Sequence, residues 1–137
     1  MQAYDLVIIG AGPAGLTAGL YAGRFRLKAL ILEKMSVGGQ IVLSPSIENF
    51  PGFPGGTPTF DLIEKISQQA REVGIAVEHG EVLEIIASKE LPIPVYNTKA
   101  AENSYQARSV IIASGAQSKR LGVEGEEKFI GRGVSYC

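Results

Sequence analysis

The sequence has little of what several kinds of functional site require. Its 137 residues include one cysteine, one histidine and no tryptophan. A single cysteine excludes an internal disulfide and a thiolate-rich metal centre, so we expect no metal site. It also fits a reducing compartment, and we expect a cytoplasmic location. Thirteen basic against fourteen acidic residues give a net charge of −1. This balance offers no electrostatic basis for binding nucleic acid or an anionic membrane surface, and we expect neither partner.

A membrane-spanning segment is also missing. Residues 6–23 carry no charge, and a run of that length can resemble a transmembrane helix. Glycine and proline interrupt it repeatedly, which predicts a turn in its middle. The residues before it, MQAYD, contain an acid and no basic cluster, so we expect no signal peptide.

Glycine, in contrast, is abundant. The chain has 17 glycines, well above the usual share of about 7%. Many fall in three short stretches, GAGPAG, GGQ and PGFPGG. Such clusters indicate tight turns or backbone that lies close to a ligand.

The first third of the chain predicts a βαβ unit. Residues 4–9 and 28–32 are short apolar runs, typical of strands buried on both faces. Between them, a helix is predicted from Pro13 to the basic residues at 24–26, because proline suits a first helical turn. The two strands should be parallel and joined by a right-handed crossover. A long glycine- and proline-rich loop follows at residues 35–58, and a helix capped by Thr57 or Thr59 then extends to Gly74.

The rest of the chain predicts short strands. Alternating patterns occur at residues 75–78, 81–86, 93–97 and 105–108, with a polar turn at 99–103. Residues 109–113 again resemble a fully buried strand, and residues 117–133 a polar surface segment. The expected fold class is therefore α/β, with a central parallel sheet and a small antiparallel β-meander.

The segment Gly10-Ala11-Gly12-Pro13-Ala14-Gly15 matches the G-x-G-x-x-G pattern of dinucleotide-binding domains. It directly follows a predicted strand and opens a predicted helix, which is the context that gives this pattern meaning. Gly10 permits the tight turn, Gly12 lets the backbone approach a pyrophosphate, and Gly15 allows close helix–strand packing. The pyrophosphate would lie at the positive end of the helix.

Glu33 follows at the end of the second strand, where a carboxylate can accept hydrogen bonds from adenosine ribose hydroxyls. An acid there disfavours a ribose 2′-phosphate, so this Rossmann-like unit should hold FAD or NAD rather than NADP. These residues alone leave that choice open. They also leave open a glycine-rich turn and a surface Glu in an unrelated α/β protein.

Four longer stretches carry a family resemblance. DLVIIGAGPAGLTAGLYAGR, GGQ, IENFPGF and IIASGAQSKRLGVEGEEKFIGRGVSYC occur in this order, and together they resemble the low-molecular-weight thioredoxin reductases. The resemblance implies that the first nucleotide-binding unit holds FAD. It implies these cofactor-binding residues: Gly10, Gly12, Pro13, Ala14 and Gly15 at the pyrophosphate; Glu33 and Lys34 near the adenosine; Val82 at the adenine; Gly38, Gly39, Gln40 and Asn49 on the flavin side; and Ala113, Ser114 and Gly115 beside the flavin.

The resemblance also implies a catalytic role for Cys137, as the first cysteine of a redox pair that passes electrons from NADPH, through FAD, to a thioredoxin-like protein disulfide. Residues 1–115 would be the first segment of an incomplete FAD-binding domain. Residues 116–137 would begin the crossover to an NADPH domain that this sequence lacks. The parent would be an enzyme and a homodimer, whereas the isolated chain should be inactive.

Several alternatives remain at this stage. The parent could be a related ferredoxin–NADP reductase or an alkyl hydroperoxide reductase flavoprotein. The chain could instead be a non-catalytic nucleotide-binding or self-associating module. Gln40 and Asn49 could be ordinary loop-capping amides. Phe50 and Phe53 are expected to pack, and His79 to lie at a surface strand end.

Overall fold

A computed structural model describes residues 2–88, 95–100 and 103–136. Cys137 lies outside these residues. In chain order the elements are β1 (Gln2–Ile9), α1 (Pro13–Arg24), β2 (Ala29–Glu33), a 3-10 helix (Gly39–Leu43), β3 (Ser46–Ile47), β4 (Thr57–Pro58), α2 (Thr59–Glu72), β5 (Ala76–His79), β6 (Val82–Ser88), β7 (Val95–Ala100), β8 (Ser104–Ile112) and α3 (Glu126–Phe129).

Within the described residues, six strands form one sheet in the order β5-β2-β1-β8-β7-β6. The four strands β5, β2, β1 and β8 are mutually parallel, which confirms the predicted central parallel sheet. Strands β6, β7 and β8 form the predicted antiparallel meander. Because β8 belongs to both groups, the meander continues the central sheet.

The core lies on both faces of the parallel strands. On one face, Leu6, Ile8 and Ile31 pack with Leu16 of α1 and Ala70 of α2. On the other face, three buried residues of β1 and β2 pack against three buried residues of the meander: Val7, Leu30 and Leu32 against Ala100, Tyr105 and Ala107. Both predicted buried strands of the βαβ unit are thus confirmed. No helix among the described residues is long and apolar enough to cross a membrane.

Strand β8 corrects two predictions. Residues 105–108 and 109–113 were expected to form separate strands, but Ser104–Ile112 is continuous. Among the described residues, its pairing with β7 runs from Ser104 to Ala107, whereas its pairing with β1 continues to Ile112. The second half is not buried as predicted, since Ile112 is 68% exposed. The turn predicted at 99–103 also begins too early, because β7 extends to Ala100.

Strand β5 pairs in parallel with β2, from Leu30–Ala76 to Glu33–His79. Its alternating pattern predicted a short strand at residues 75–78 without indicating which strand it pairs with. The alternation reflects its position at the sheet edge, where one face is partly solvated. His79 is the exposed last residue of β5, as expected for a surface strand end.

The long loop contains more structure than its sequence indicated. It includes the 3-10 helix and the small antiparallel pair β3–β4. Phe50 and Phe53 pack edge to face, with ring centroids 6.0 Å apart, as predicted. The predicted cap of α2 is wrong: Pro58 occupies the N-cap without a side-chain hydrogen bond. Thr59 instead begins the helix, and its N–H donates to the Pro45 carbonyl at 3.1 Å.

Candidate cofactor-binding site

The glycine turn lies at the carboxyl end of β1, between the ends of β2 and β8. The N–H of Gly10 donates to the Leu32 carbonyl at 2.8 Å, and the N–H of Ala113 donates to the Ile9 carbonyl at 2.8 Å. Ligands of open α/β sheets bind outside this edge. The topology therefore brings three loops to the position where the sequence predicted a site.

Two of the three glycines are required by the fold itself. Gly10 has φ +103°, and a Cβ there would lie 2.4 Å from the Ala113 carbonyl oxygen. A Cβ at Gly15 would lie 1.8 Å from the Gly10 carbonyl oxygen. These distances confirm the tight turn and the close helix–strand contact.

Gly12 differs, because the protein leaves room beside it. Its φ is −72°, and a Cβ there would meet nothing closer than the Gly38 carbonyl oxygen at 3.8 Å. Gly12 is the N-cap of α1, whose first turn contains no acidic residue. The free N–H groups and the helix dipole therefore face an open space suited to an anion. A pyrophosphate fits this cradle, which a side chain would fill.

Glu33 joins the glycine turn to the end of β2. Its Oε2 accepts from the Ala11 N–H at 2.7 Å, and its Oε1 accepts from the Met35 N–H at 2.9 Å. A carboxylate has about four acceptor positions, so roughly two remain for other donors. Glu33 also lines a cleft at the carboxyl edge of the sheet. Ribose hydroxyls in this cleft could donate hydrogen bonds to the remaining acceptor positions.

This cleft has a volume of about 350 Å³. Besides Glu33, it brings together five of the predicted residues: Gly10, Lys34, Val82, Ser114 and Gly115. Six further lining residues were not among the predicted site residues: Ile9, Leu32, Gly80, Glu81, Ala116 and Gln117. Gly80 follows β5 and donates its N–H to the Glu33 carbonyl at 2.9 Å. Glu81 lies 3.8 Å from the Lys34 ammonium. Both residues directly follow β5, but only the parallel pairing of β5 with β2 shows that they reach this edge.

A second group of predicted residues lies beside Gly12. The N–H of Gly38 donates to the Ala11 carbonyl at 2.9 Å, and a Cβ at Gly39 would lie 3.3 Å from Gly12 Cα. Gln40 follows and is exposed. Its Nε2 donates to the Ala116 carbonyl at 2.5 Å. That bond links the 3-10 helix to the loop after β8.

The remaining predicted residues occupy three places. Pro13 and Ala14 form the start of α1. Ala113 packs against the glycine turn, since its Cβ would lie 3.5 Å from a Cβ at Gly15. Asn49 is exposed in the loop between β3 and β4 and does not line the cleft. The structure therefore assembles most of the predicted set and leaves Asn49 apart from it.

Comparison with known proteins agrees with this geometry. A sequence model of the pyridine nucleotide-disulphide oxidoreductases matches residues 4–137. The chain belongs to this family. It is 43% identical to the thioredoxin reductase of Listeria innocua over 134 residues, and 42% identical to that of Bacillus subtilis. Each match covers 98% of this chain, but 40% and 41% of the relative.

Solved structures of family members give the same result. Lactococcus lactis thioredoxin reductase, in its FR conformation, superposes with a TM-score of 0.85 at 36% identity, covering 98% of this chain and 43% of that one. The predicted resemblance to low-molecular-weight thioredoxin reductases is thus confirmed. So is the expectation that only part of such a protein is present, because the chain spans about 40% of the length of these curated relatives.

Proposed function

We propose that this chain is the FAD-binding segment of a thioredoxin reductase-like flavoprotein. One observation carries the proposal: the glycine turn, Glu33 and the loop after β8 converge on one edge of the sheet, beside an anion cradle that the fold leaves empty of side chains. Family membership supports a flavin there rather than NAD, the choice that the glycine pattern leaves open.

In this proposal the chain holds the cofactor along the carboxyl edge. The pyrophosphate lies at the N-terminus of α1 against Gly12, where the helix dipole and free N–H groups stabilise negative charge. Glu33 accepts hydrogen bonds from the adenosine ribose, and Lys34 and Val82 border the adenine end of the cleft. Gly10, Pro13, Ala14 and Gly15 set the turn and helix start that keep the cradle open.

The flavin end would lie toward the 3-10 helix and the loop after β8. The backbone of Gly38 and Gly39 lies close to Gly12, with no side chain between them. The Gln40 amide can donate a hydrogen bond to an acceptor atom of the flavin ring. Ala113, Ser114 and Gly115 border the other side. Asn49 lies in the β3–β4 loop, and we place it near the flavin ring as the contribution of that loop. Bound FAD would supply two-electron redox chemistry, which protein side chains alone lack.

The electron route of the whole protein is a further part of this proposal. Cys137 would be the first thiol of the redox pair, and the parent would take electrons from NADPH and reduce a thioredoxin-like disulfide as a homodimer. We assign residues 1–115 to the FAD-binding domain and 116–137 to the crossover toward an NADPH domain. With one cysteine, this chain cannot cycle between an internal dithiol and a disulfide. It should bind FAD but not turn over.

The first test is the flavin content of the purified chain. We expect a yellow protein, or one that becomes yellow with added FAD, and release of the flavin on denaturation. NAD added at the same concentration serves as the control ligand. A chain that is colourless after incubation with excess FAD and removal of the unbound FAD by gel filtration would contradict the proposal and favour a non-catalytic, self-associating module.

The second test is turnover. NADPH-dependent reduction of a protein disulfide should be absent with this chain, even when it is loaded with FAD. Measurable turnover would contradict the assignment of NADPH binding and of the second thiol to other parts of the protein.

A further inference from the structure

One side-chain hydrogen bond joins the two loops that contact the glycine turn. Gln40, in the 3-10 helix, donates from its Nε2 to the Ala116 carbonyl at 2.5 Å, and the two residues are 76 positions apart in the sequence. One wall of the cleft at the carboxyl edge is formed by Ala116 and its neighbours Ser114, Gly115 and Gln117. The bond therefore attaches this wall to a distant segment of the chain.

The wall has few other attachments. Before it, the N–H of Ala113 donates to the Ile9 carbonyl at 2.8 Å, and after it Arg120 forms a surface ion pair. Between these two points, the Gln40 bond is the one hydrogen bond that residues 114–119 make with another described residue. Without it, this stretch would be held at its two ends alone.

The other end of the bond lies on a fixed support. The N–H of Gly38 donates to the Ala11 carbonyl at 2.9 Å, and a Cβ at Gly39 would lie 3.3 Å from Gly12 Cα. The segment that carries Gln40 therefore rests on the glycine turn. Through this side chain, the cleft wall is attached to the same turn that forms the anion cradle.

We propose that Gln40 is a positioning residue for FAD, because it fixes the loop after β8. The inference rests on the proposed function, in which this edge of the sheet binds FAD. An amide nitrogen has two N–H donors, so one can bind Ala116 and the other the flavin ring. The bond to Ala116 is made within the protein itself. The wall therefore need not be ordered when FAD binds, which lowers the entropic cost of binding.

Limited trypsin digestion of the full chain without FAD tests the bond itself. Proteases cleave most readily where the backbone is exposed and locally mobile, and Lys119 lies three residues after Ala116. Gln40→Met keeps the length of the side chain and removes the amide. Cleavage after Lys119 should become about threefold faster or more, because one hydrogen bond is lost and cleavage follows the population of the open loop. Mass spectrometry of the fragments measures it, and cleavage after Arg26 in the same digest should not change.

FAD titration tests the positioning. Gln40→Met should lower the affinity for FAD by about threefold or more and shift the visible absorption band of the bound flavin, because the wall beside the ring is no longer fixed. Gln40→Glu has the same size and reach, but at neutral pH its carboxylate is an acceptor only and repels the Ala116 carbonyl oxygen. It should behave like Gln40→Met in both assays.

Gln68→Met is the matched control. Gln68 is an exposed amide on α2 that donates to Glu72 at 2.9 Å, and it lies outside the residues that line the cleft. The substitution removes the same kind of group and one hydrogen bond. Cleavage after Lys119, FAD affinity and the flavin band should all equal those of the unmodified chain. An equal effect in the control would overturn the proposal.

Two further results would overturn it. If Gln40→Met binds FAD more weakly but is cleaved after Lys119 at the unmodified rate, Gln40 acts on the ligand alone. If cleavage becomes faster while FAD affinity and the flavin band stay the same, the wall does not position the cofactor.

Circular dichroism establishes that the variants are folded, and if Gln40→Met does not fold, Gln40→Glu still decides the question. FAD titration of the unmodified chain is a separate readout. Failure of that chain to bind FAD would contradict the proposed function, whereas the digestion without FAD would still show whether Gln40 fixes the loop.

Discussion

The glycine turn allows a stability effect to be separated from a binding effect. Gly12 and Gly15 lie three residues apart, yet an added methyl group meets different surroundings at each position. At Gly15 a Cβ would lie 1.8 Å from the Gly10 carbonyl oxygen and 2.9 Å from its carbon. At Gly12 the nearest atoms are 3.8 and 4.0 Å away. Alanine should therefore lower the stability of the fold at Gly15 and weaken ligand binding at Gly12.

For Gly15→Ala, ordinary contact requires α1 to move away from β1 by roughly 1.5 Å. Both partners are backbone, so no side chain can rotate aside, and the cost lies near the upper end of overpacking, about 3 kcal/mol. Replacing a helical glycine by alanine returns about 1 kcal/mol. The free energy of unfolding should fall by about 2 kcal/mol, which lowers the melting temperature by roughly 7 °C in a domain of this size.

For Gly12→Ala, the φ of −72° suits alanine, and the free energy of unfolding should change by less than about 0.5 kcal/mol. The methyl group would instead occupy the cradle proposed for the pyrophosphate. We expect the affinity for FAD to fall about tenfold or more, equivalent to about 1.4 kcal/mol.

Thermal unfolding of the ligand-free variants and fluorescence titration with FAD measure the two effects. If Gly12→Ala is destabilised as much as Gly15→Ala, then packing within the protein explains both glycines. If Gly12→Ala binds FAD as tightly as the unmodified chain, the pyrophosphate does not lie where we propose.

Three further predictions concern single contacts. Gly38→Ala should lower the free energy of unfolding by about 1–3 kcal/mol more than Gly52→Ala: both glycines have positive φ, but only at Gly38 would a Cβ lie 2.4 Å from Val42 Cγ1. Comparable urea midpoints for the two would refute this. Glu33→Gln should cost about 1–2 kcal/mol in urea unfolding, because one amide oxygen replaces the two that accept the Ala11 and Met35 N–H groups, and FAD affinity should fall with it. Tyr105→Phe should cost about 1 kcal/mol, because the buried hydroxyl donates to Glu78 Oε2 at 3.0 Å. Burial, followed by Glu78, raises the pKa of Tyr105, so its contribution is complete below the unfolded value near pH 10 and is lost as pH rises through the folded value. Unfolding of Tyr105→Phe, followed by circular dichroism, should therefore depend less on pH above 10, and an unchanged alkaline limb would contradict this.

The βαβ unit was predictable because its signals are local. The apolar runs of β1 and β2, the turn at Gly10 and the proline at the start of α1 all lie within some 30 residues, and each agrees with the others. Pairing across the sheet left weaker signals. Residues 104–112 form one strand that pairs with both β1 and β7, yet its sequence pattern changes within the strand and predicted two strands.

The same difference explains the site. Gly10, Gly12, Gly15 and Glu33 follow from a contiguous motif and the strand after it. Gly80 and Gln117 reach the cleft only because β5, β2, β1 and β8 are ordered side by side, and no local pattern specifies that order.

Glu33 connects the fold to the proposed binding chemistry. Its two bonds to the Ala11 and Met35 N–H groups hold the carboxylate at the rim of the cleft before any ligand arrives. A ribose that used the remaining acceptor positions would therefore not have to order this side chain, and a side chain that is already fixed lowers the entropic cost of binding. The same bonds attach the end of β2 to the glycine turn, so the pyrophosphate cradle and the ribose acceptor keep a fixed separation. Substitutions at Glu33 should consequently weaken stability and FAD binding together, whereas Gly12→Ala should weaken binding alone.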